Sequence, residues 1–94
     1  MTRVTPPLHL LAAFVSTTRH TTISAAAREL HLTQGAVSKK LKELEDSLGV
    51  ELFDRMHGRL KLSNAGATYL PAVTAALHEL ETATLTVMSL RGRG

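Results

Sequence analysis

Between Thr33 and Gly49 the apolar residues Val37, Leu41, Leu44 and Leu48 recur at steps of four, three and four, which sets them on one stripe of an α-helix. A strand has a side-chain period of two and cannot produce that spacing. Thr33 supplies a hydroxyl to cap the first turn and Gly49 supplies the stop, so both ends of the helix are marked. Its opposite face carries Gln34, Gly35, Ser38, Lys39 and Lys42. An isolated helix of this length is marginal in water, so the leucine stripe requires other elements to pack against.

Those elements can be read on either side. Pro6 and Pro7 suit the first turn of a helix in which Leu8, Leu11 and Val15 recur at three and four residues, with Phe14 beside them. The pattern predicts a first helix ending near Thr18. A polar, partly β-branched break from Thr17 to Thr22 precedes a second, short stripe of Ile23, Ala26, Ala27 and Leu30. His31, Leu32 and Thr33 separate that stripe from the third helix. Downstream, Leu60 and Leu62 alternate with Arg59 and Lys61, and His57-Gly58 offers a turn after Phe53 to Met56, which reads as a β-hairpin. Ser63 then caps a last helix with Leu70, Val73, Leu77, Leu80, Thr84 and Val87 at heptad-like steps. Pro71 inside it predicts a kink, and residues 91–94 read as a flexible tail.

Composition narrows the function classes. At 94 residues the chain has room for one small domain, whose core is marginal unless a partner surface helps. An apolar fraction of 44% argues against disorder, and no apolar run is long enough to span a bilayer, so a soluble chain with no membrane partner is expected. Only Phe14, Phe53 and Tyr69 are aromatic, which disfavours a single-strand binder that stacks bases. Cysteine is absent, and His9, His20, His31, His57 and His78 show no ligand spacing with carboxylates, so no metal and no cofactor are expected. Ser24 and Ser38 lack spaced His and Asp partners, so the chain reads as a non-enzyme. Met1 to Pro7 runs straight into an amphipathic segment without an export signal. The net charge of +3 and a pI near 9.8 favour an anionic partner.

Two helices joined by a three-residue turn, the second polar at its start, make a helix-turn-helix unit, and the hairpin adds a wing. Alanines 25–27 permit the close crossing of the two axes, although the turn lacks the glycine usual there. Gln34 suits a bidentate bond to adenine, Lys39 and Lys42 reach guanine or phosphate, and Ser38 serves either role. The helix N-terminus adds N–H donors for phosphate. Glu43, Glu45 and Asp46 fall in the second half of the helix, away from an inserted first turn. Arg59 and Lys61 read equally as ordinary exposed strand residues and as a wing on the sugar-phosphate backbone. A winged helix used as a protein-interaction module is the competing reading, and it would set helix 3 in an acidic protein groove.

Residues 22–66 resemble the LysR-type transcriptional regulators, on AAAREL at 25–30, LTQGAVSKKLKELE at 32–45, LGVELFDR at 48–55 and LKLSNAG at 60–66. The opening PPLHLL and Arg19-His20 are similar to the glycine-cleavage-activator-like branch. The resemblance implies a mainly α fold: a winged helix-turn-helix of three helices plus a β-hairpin wing over 6–63, then a linker and dimerisation helix over 64–90. Within the domain the helix-turn-helix is expected at about 23–42 and the wing at about 53–62. It implies base contacts from Gln34, Gly35, Ser38 and Lys39, and backbone contacts from Thr33, Lys42, Arg55, His57 and Arg59. Leu70, Val73, Leu77, Leu80 and Val87 form the dimerisation stripe. The partners implied are double-stranded DNA with an inverted-repeat operator and a second copy of the chain, with higher oligomers in the full-length protein and a cytoplasmic, nucleoid-associated location. Family members commonly carry proline or serine at Gly35 and arginine at Lys39. They also continue into an effector-binding part of two α/β lobes, of which this sequence has nothing, so a fragment is expected.

Overall fold

The computed structural model describes residues 4–56 and 59–93. Along them run α1 (Leu8–His20), α2 (Ile23–Leu30), α3 (Gln34–Leu48), β1 (Phe53–Met56), β2 (Arg59–Leu62) and α4 (Asn64–Met88). The helix-turn-helix is α2 and α3, and β1 and β2 pair antiparallel as the wing with Phe53 opposite Leu62 and Met56 opposite Arg59. The turn residues His57 and Gly58 lie outside the described residues.

Local chemistry accounts for the helix boundaries. The Pro7 carbonyl accepts the Leu10 and Leu11 N–H groups and opens α1 without a side-chain cap. Helix α1 runs past Thr18 to His20, because the Thr18 hydroxyl donates back to the Val15 carbonyl at 2.7 Å and stays within the helix. Arg19 and His20 in the last turn complement its dipole. Thr22, Thr33 and Ser63 cap α2, α3 and α4, each accepting a backbone N–H three residues on at 3.1 Å. The Thr22 cap escaped the sequence reading, which treated the whole threonine run as a break.

Two non-glycine residues take left-handed backbone, Thr21 (φ 61) after α1 and His31 (φ 56) in the helix-turn-helix turn. His31 thus adopts the conformation that a glycine would otherwise supply, and its neighbour's N–H, from Leu32, closes on the Ala27 carbonyl at 2.9 Å. Thr21 is the more strained because its Cβ is branched. Left-handed backbone costs an L-residue roughly 1–2 kcal/mol, while glycine loses roughly 0.5–1 kcal/mol more chain entropy on folding. Thr21→Gly is therefore expected to raise stability by about 0.5–1 kcal/mol in urea unfolding; a lowered midpoint at unchanged m would show that the threonine is not strained.

The core lies where the first three helices meet. Val37, Leu41 and Leu44 of α3 are fully covered, together with Leu10, Leu11, Ala13 and Phe14 of α1 and Ala26 and Ala27 of α2. Burying each leucine contributes roughly 1.5–3 kcal/mol. Phe14 joins this core to the wing and to α4, with its ring edge-on to Phe53 at 5.7 Å and stacked on Tyr69 at 6.0 Å. All three aromatics are spent on that joint.

Helix α4 corrects the sequence reading in one respect. Val73 is 4% exposed and belongs to the core, and Leu70 and Leu77 are half-buried against it. The expectation that the domain offers this stripe no surface is therefore overturned for its first half, because α1 and β2 lie under it. Val73 leaves the dimerisation set, since its side chain is already covered within one chain. Pro71 sits at an exposed position and does not end the helix; its missing N–H leaves only the Ala67 carbonyl without an i+4 donor. From His78 onward every described residue is exposed, and this arm gives the molecule its 55 × 34 × 20 Å extents. Beyond α4 the chain winds into turns closed by Leu90, Arg91 and Arg93 N–H groups.

Candidate nucleic-acid interface

The surface of α3 opposite its buried stripe presents Gln34, Gly35, Lys39 and Lys42 to solvent, with Ser38 half-buried beside them. Neither α2 nor α3 has an acidic residue in its first turn, so no carboxylate offsets the positive end of either helix. Thr33 uses its hydroxyl to cap α3 through the Ala36 N–H, which fixes the side chain expected on the backbone of a nucleic acid. A Cβ on Gly35 would meet nothing within 4 Å, so packing within the chain does not require glycine there. Lys39 makes no ion pair among the described residues. Lys42 lies 3.6 Å from Asp46, both well exposed, a pairing worth only a few tenths of a kcal/mol by the general rule for i,i+4 pairs. Lys40 instead turns toward α1 and donates to His9 Nδ1 at 2.7 Å.

The wing stands against this face. Gln34 at the start of α3 and Arg55 on β1 line one groove with Thr22, Ser24 and Leu60. Arg55 was expected on the nucleic-acid backbone; its guanidinium reaches the Glu45 carboxylate at 3.3 Å while the side chain remains half exposed. The other oxygen of Glu45 accepts the Leu52 N–H at 2.8 Å and the Phe53 N–H at 3.3 Å. Sequence reasoning had set Glu45 aside as a residue turned from the interface. Its signal was available in the spacing to Arg55, but ten residues across a loop cannot be paired by periodicity. Arg59 is placed by its backbone at the turn end of β2, opposite Met56, and His57 lies outside the described residues.

A second polar cluster fixes α2 to α1. Ser16 donates to Glu29 Oε1 at 2.6 Å and Arg19 to Oε2 at 2.8 Å, with His20 Nε2 at 3.2 Å from the same oxygen but poorly aligned for a linear bond. The Ser16 hydrogen bond, followed by His20 and the Arg19 charge, holds the Glu29 carboxyl below its ordinary range. The Glu29 carboxylate thus links α2 to α1 through Ser16 and Arg19. Among the described residues no group of three His, Cys, Asp or Glu side chains is placed to hold a metal, and no helix is long and apolar enough to cross a membrane.

On α4 the expected stripe divides. Leu70 and Leu77 flank the core, whereas Leu80 is 45% and Val87 66% exposed. Leu85, Met88 and Leu90 add exposed apolar area to the same arm, and none of these three was in the expected set.

Residues 8–67 match the bacterial regulatory helix-turn-helix protein, lysR family. The whole chain is 36% identical to the glycine cleavage system transcriptional activator of Escherichia coli K12, and it spans 31% of that protein's length. Over 80 residues it is 42% identical to the regulator TrpI of Pseudomonas aeruginosa, covering 85% of this chain and 27% of that one. Among solved structures, a Corynebacterium glutamicum OxyR mutant superposes with a TM-score of 0.86 at 28% identity, over 94% of this chain and 28% of OxyR. The fold, the helix-turn-helix with its wing and these matches agree, and the chain belongs to the lysR family of bacterial regulatory helix-turn-helix proteins.

Proposed function

We propose that this chain is the DNA-binding part of a transcriptional regulator, with α3 in the major groove of a duplex, the wing on the sugar-phosphate backbone, and α4 pairing two copies on an inverted-repeat operator. The observation that carries the reading is the first half of α3: Gln34, Gly35 and Lys39 are exposed beside a helix N-terminus that no carboxylate neutralises, and none of them is needed for packing. A crystal structure of a CbnR_DBD–DNA complex supports it, with a TM-score of 0.79 at 25% identity over 89% of this chain and 97% of that one. In this arrangement Gln34, Gly35, Ser38 and Lys39 face base edges, and Thr33, Lys42, Arg55, Arg59 and His57 approach phosphates. The reaction is recognition alone, in the bacterial cytoplasm, and the full-length protein adds effector response and higher assembly.

Gln34→Ala is expected to weaken binding to the cognate duplex by roughly 1–3 kcal/mol and to relax discrimination at one or two base pairs, because a bidentate edge contact is lost. Fluorescence anisotropy against cognate and scrambled duplexes tests this. Equal losses on both would remove Gln34 from the base-reading set.

A further inference from the structure

Glu45 collects more bonds between elements than any neighbouring side chain on α3. Its backbone carbonyl accepts the Gly49 and Val50 N–H groups that end the helix. Its carboxylate, with 12% of the side chain exposed, accepts Leu52 and Phe53 N–H through one oxygen and the Arg55 guanidinium through the other. One side chain of the recognition helix therefore holds both the start of β1 and a side chain that lies along the groove toward Gln34. The hairpin is also tied to the domain by Phe53, buried in the core, and by Leu60 and Leu62, partly buried against it, but those contacts are apolar and non-directional. Phe53, packed edge-on to Phe14, anchors its base.

We propose that Glu45, acting through Arg55, is a positioning residue that sets the wing's angle to the recognition helix and so determines how the wing meets DNA, without touching DNA itself. The inference rests on the DNA-binding reading above. Charge-assisted bonds are short-ranged and directional, so the Glu45 carboxylate fixes Arg55 where an uncharged side chain would not. Arg55 serves as a strut on the wing, and its guanidinium is shared with a carboxylate before any phosphate arrives. The wing's own phosphate contact then depends on a residue of the opposite charge, which a count of cations would score as unfavourable.

Glu45→Gln separates positioning from stability. The glutamine carbonyl still accepts the Leu52 and Phe53 N–H groups, but its amide cannot pair with Arg55. The experiment is the salt dependence of binding to a duplex selected with the parent chain, for the parent, Glu45→Gln, Arg59→Ala and the double variant, with urea unfolding of each. The expected result is a parent-like unfolding midpoint for Glu45→Gln with a slope of log K against log salt smaller by about one, as for loss of one phosphate contact. Adding Arg59→Ala should then lower the slope no further, although Arg59→Ala lowers it alone. An unchanged or steeper slope in Glu45→Gln, or full additivity with Arg59→Ala, overturns the inference while leaving DNA binding intact. Should Glu45→Gln unfold early, Arg55→Gln, which keeps the Glu45 bonds to backbone, must leave Arg59→Ala without further effect on the slope, since loss of a direct Arg55 contact alone would be additive with it, or the inference fails. Absence of salt-dependent duplex binding by the parent overturns the DNA-binding reading and this inference together.

Discussion

Gly66→Ala is expected to remove more than half of the chain's folding stability. Gly66 is buried in the first turn of α4, and a Cβ there would overlap the Leu52 carbonyl oxygen and press on Leu62 Cδ2 at 2.8 Å. That approach is enforced from three directions. The Ser63 N–H donates to the Leu52 carbonyl at 3.0 Å, the Ser63 hydroxyl to the Glu51 carbonyl at 2.7 Å, and the Gly66 N–H to the Ser63 hydroxyl at 3.1 Å. The obstacle is backbone, so no rotamer change relieves it; α4 would have to move off Leu52 and β2 and take Val73 and Tyr69 with it. Overpacking and the loss of this junction together cost about 3 kcal/mol or more, against a total of about 5–15 kcal/mol for domains in general and the low end for one this small. Circular dichroism at 222 nm during urea unfolding, with that signal's helical minimum as the usual readout for a mainly helical fold, measures it. Gly35→Ala is the control, because the same methyl group enters open space there. Equal midpoints for the two variants would refute the close approach.

Leu80→Asp combined with Val87→Asp is expected to abolish dimerisation and to lower operator affinity by about two to four orders of magnitude. Both side chains lie on the arm of α4 that the chain leaves bare, so two carboxylates there disturb no intrachain packing. In a paired arm they would be buried as like charges without partners. Linked half-sites gain about 10²–10⁴ in avidity from effective concentration, which a monomer forfeits. Sedimentation and half-site binding give the decisive pair of numbers. A monomer with half-site affinity intact and full-operator affinity reduced is the expected outcome; a monomer that binds the full operator as the parent does would show that α4 has another purpose. Leu77 is unsuitable for this test because it also packs on the core.

Periodicity made α3 and the wing legible, since Val37, Leu41 and Leu44 have no other arrangement that covers them all and Leu60 and Leu62 alternate with charges. Capping chemistry placed Thr33 and Ser63 correctly for the same reason, each standing before an apolar stripe. What periodicity cannot show is which surface covers a stripe. Leu70 and Leu77 share their spacing with Leu80 and Val87, yet the first pair lies over α1 and the second over nothing, a difference made by tertiary placement alone. Glu45 illustrates the same limit for polar residues, because its partners at Leu52, Phe53 and Arg55 lie across a turn. The left-handed Thr21 and His31 were illegible because their residue types argue against that backbone, and packing of α1, α2 and α3 imposed it.

Selection of bound duplexes from a random-sequence library tests the central claim most directly. A dimer with one α3 per half-site should enrich an inverted repeat whose half-sites are separated by whole helical turns, about 10–10.5 base pairs or a multiple. Gln34→Ala should change the enriched base at one or two symmetric positions and leave the spacing alone. Recovery of duplexes with no common sequence, bound with the same affinity as the starting library, would contradict sequence-specific recognition by this chain.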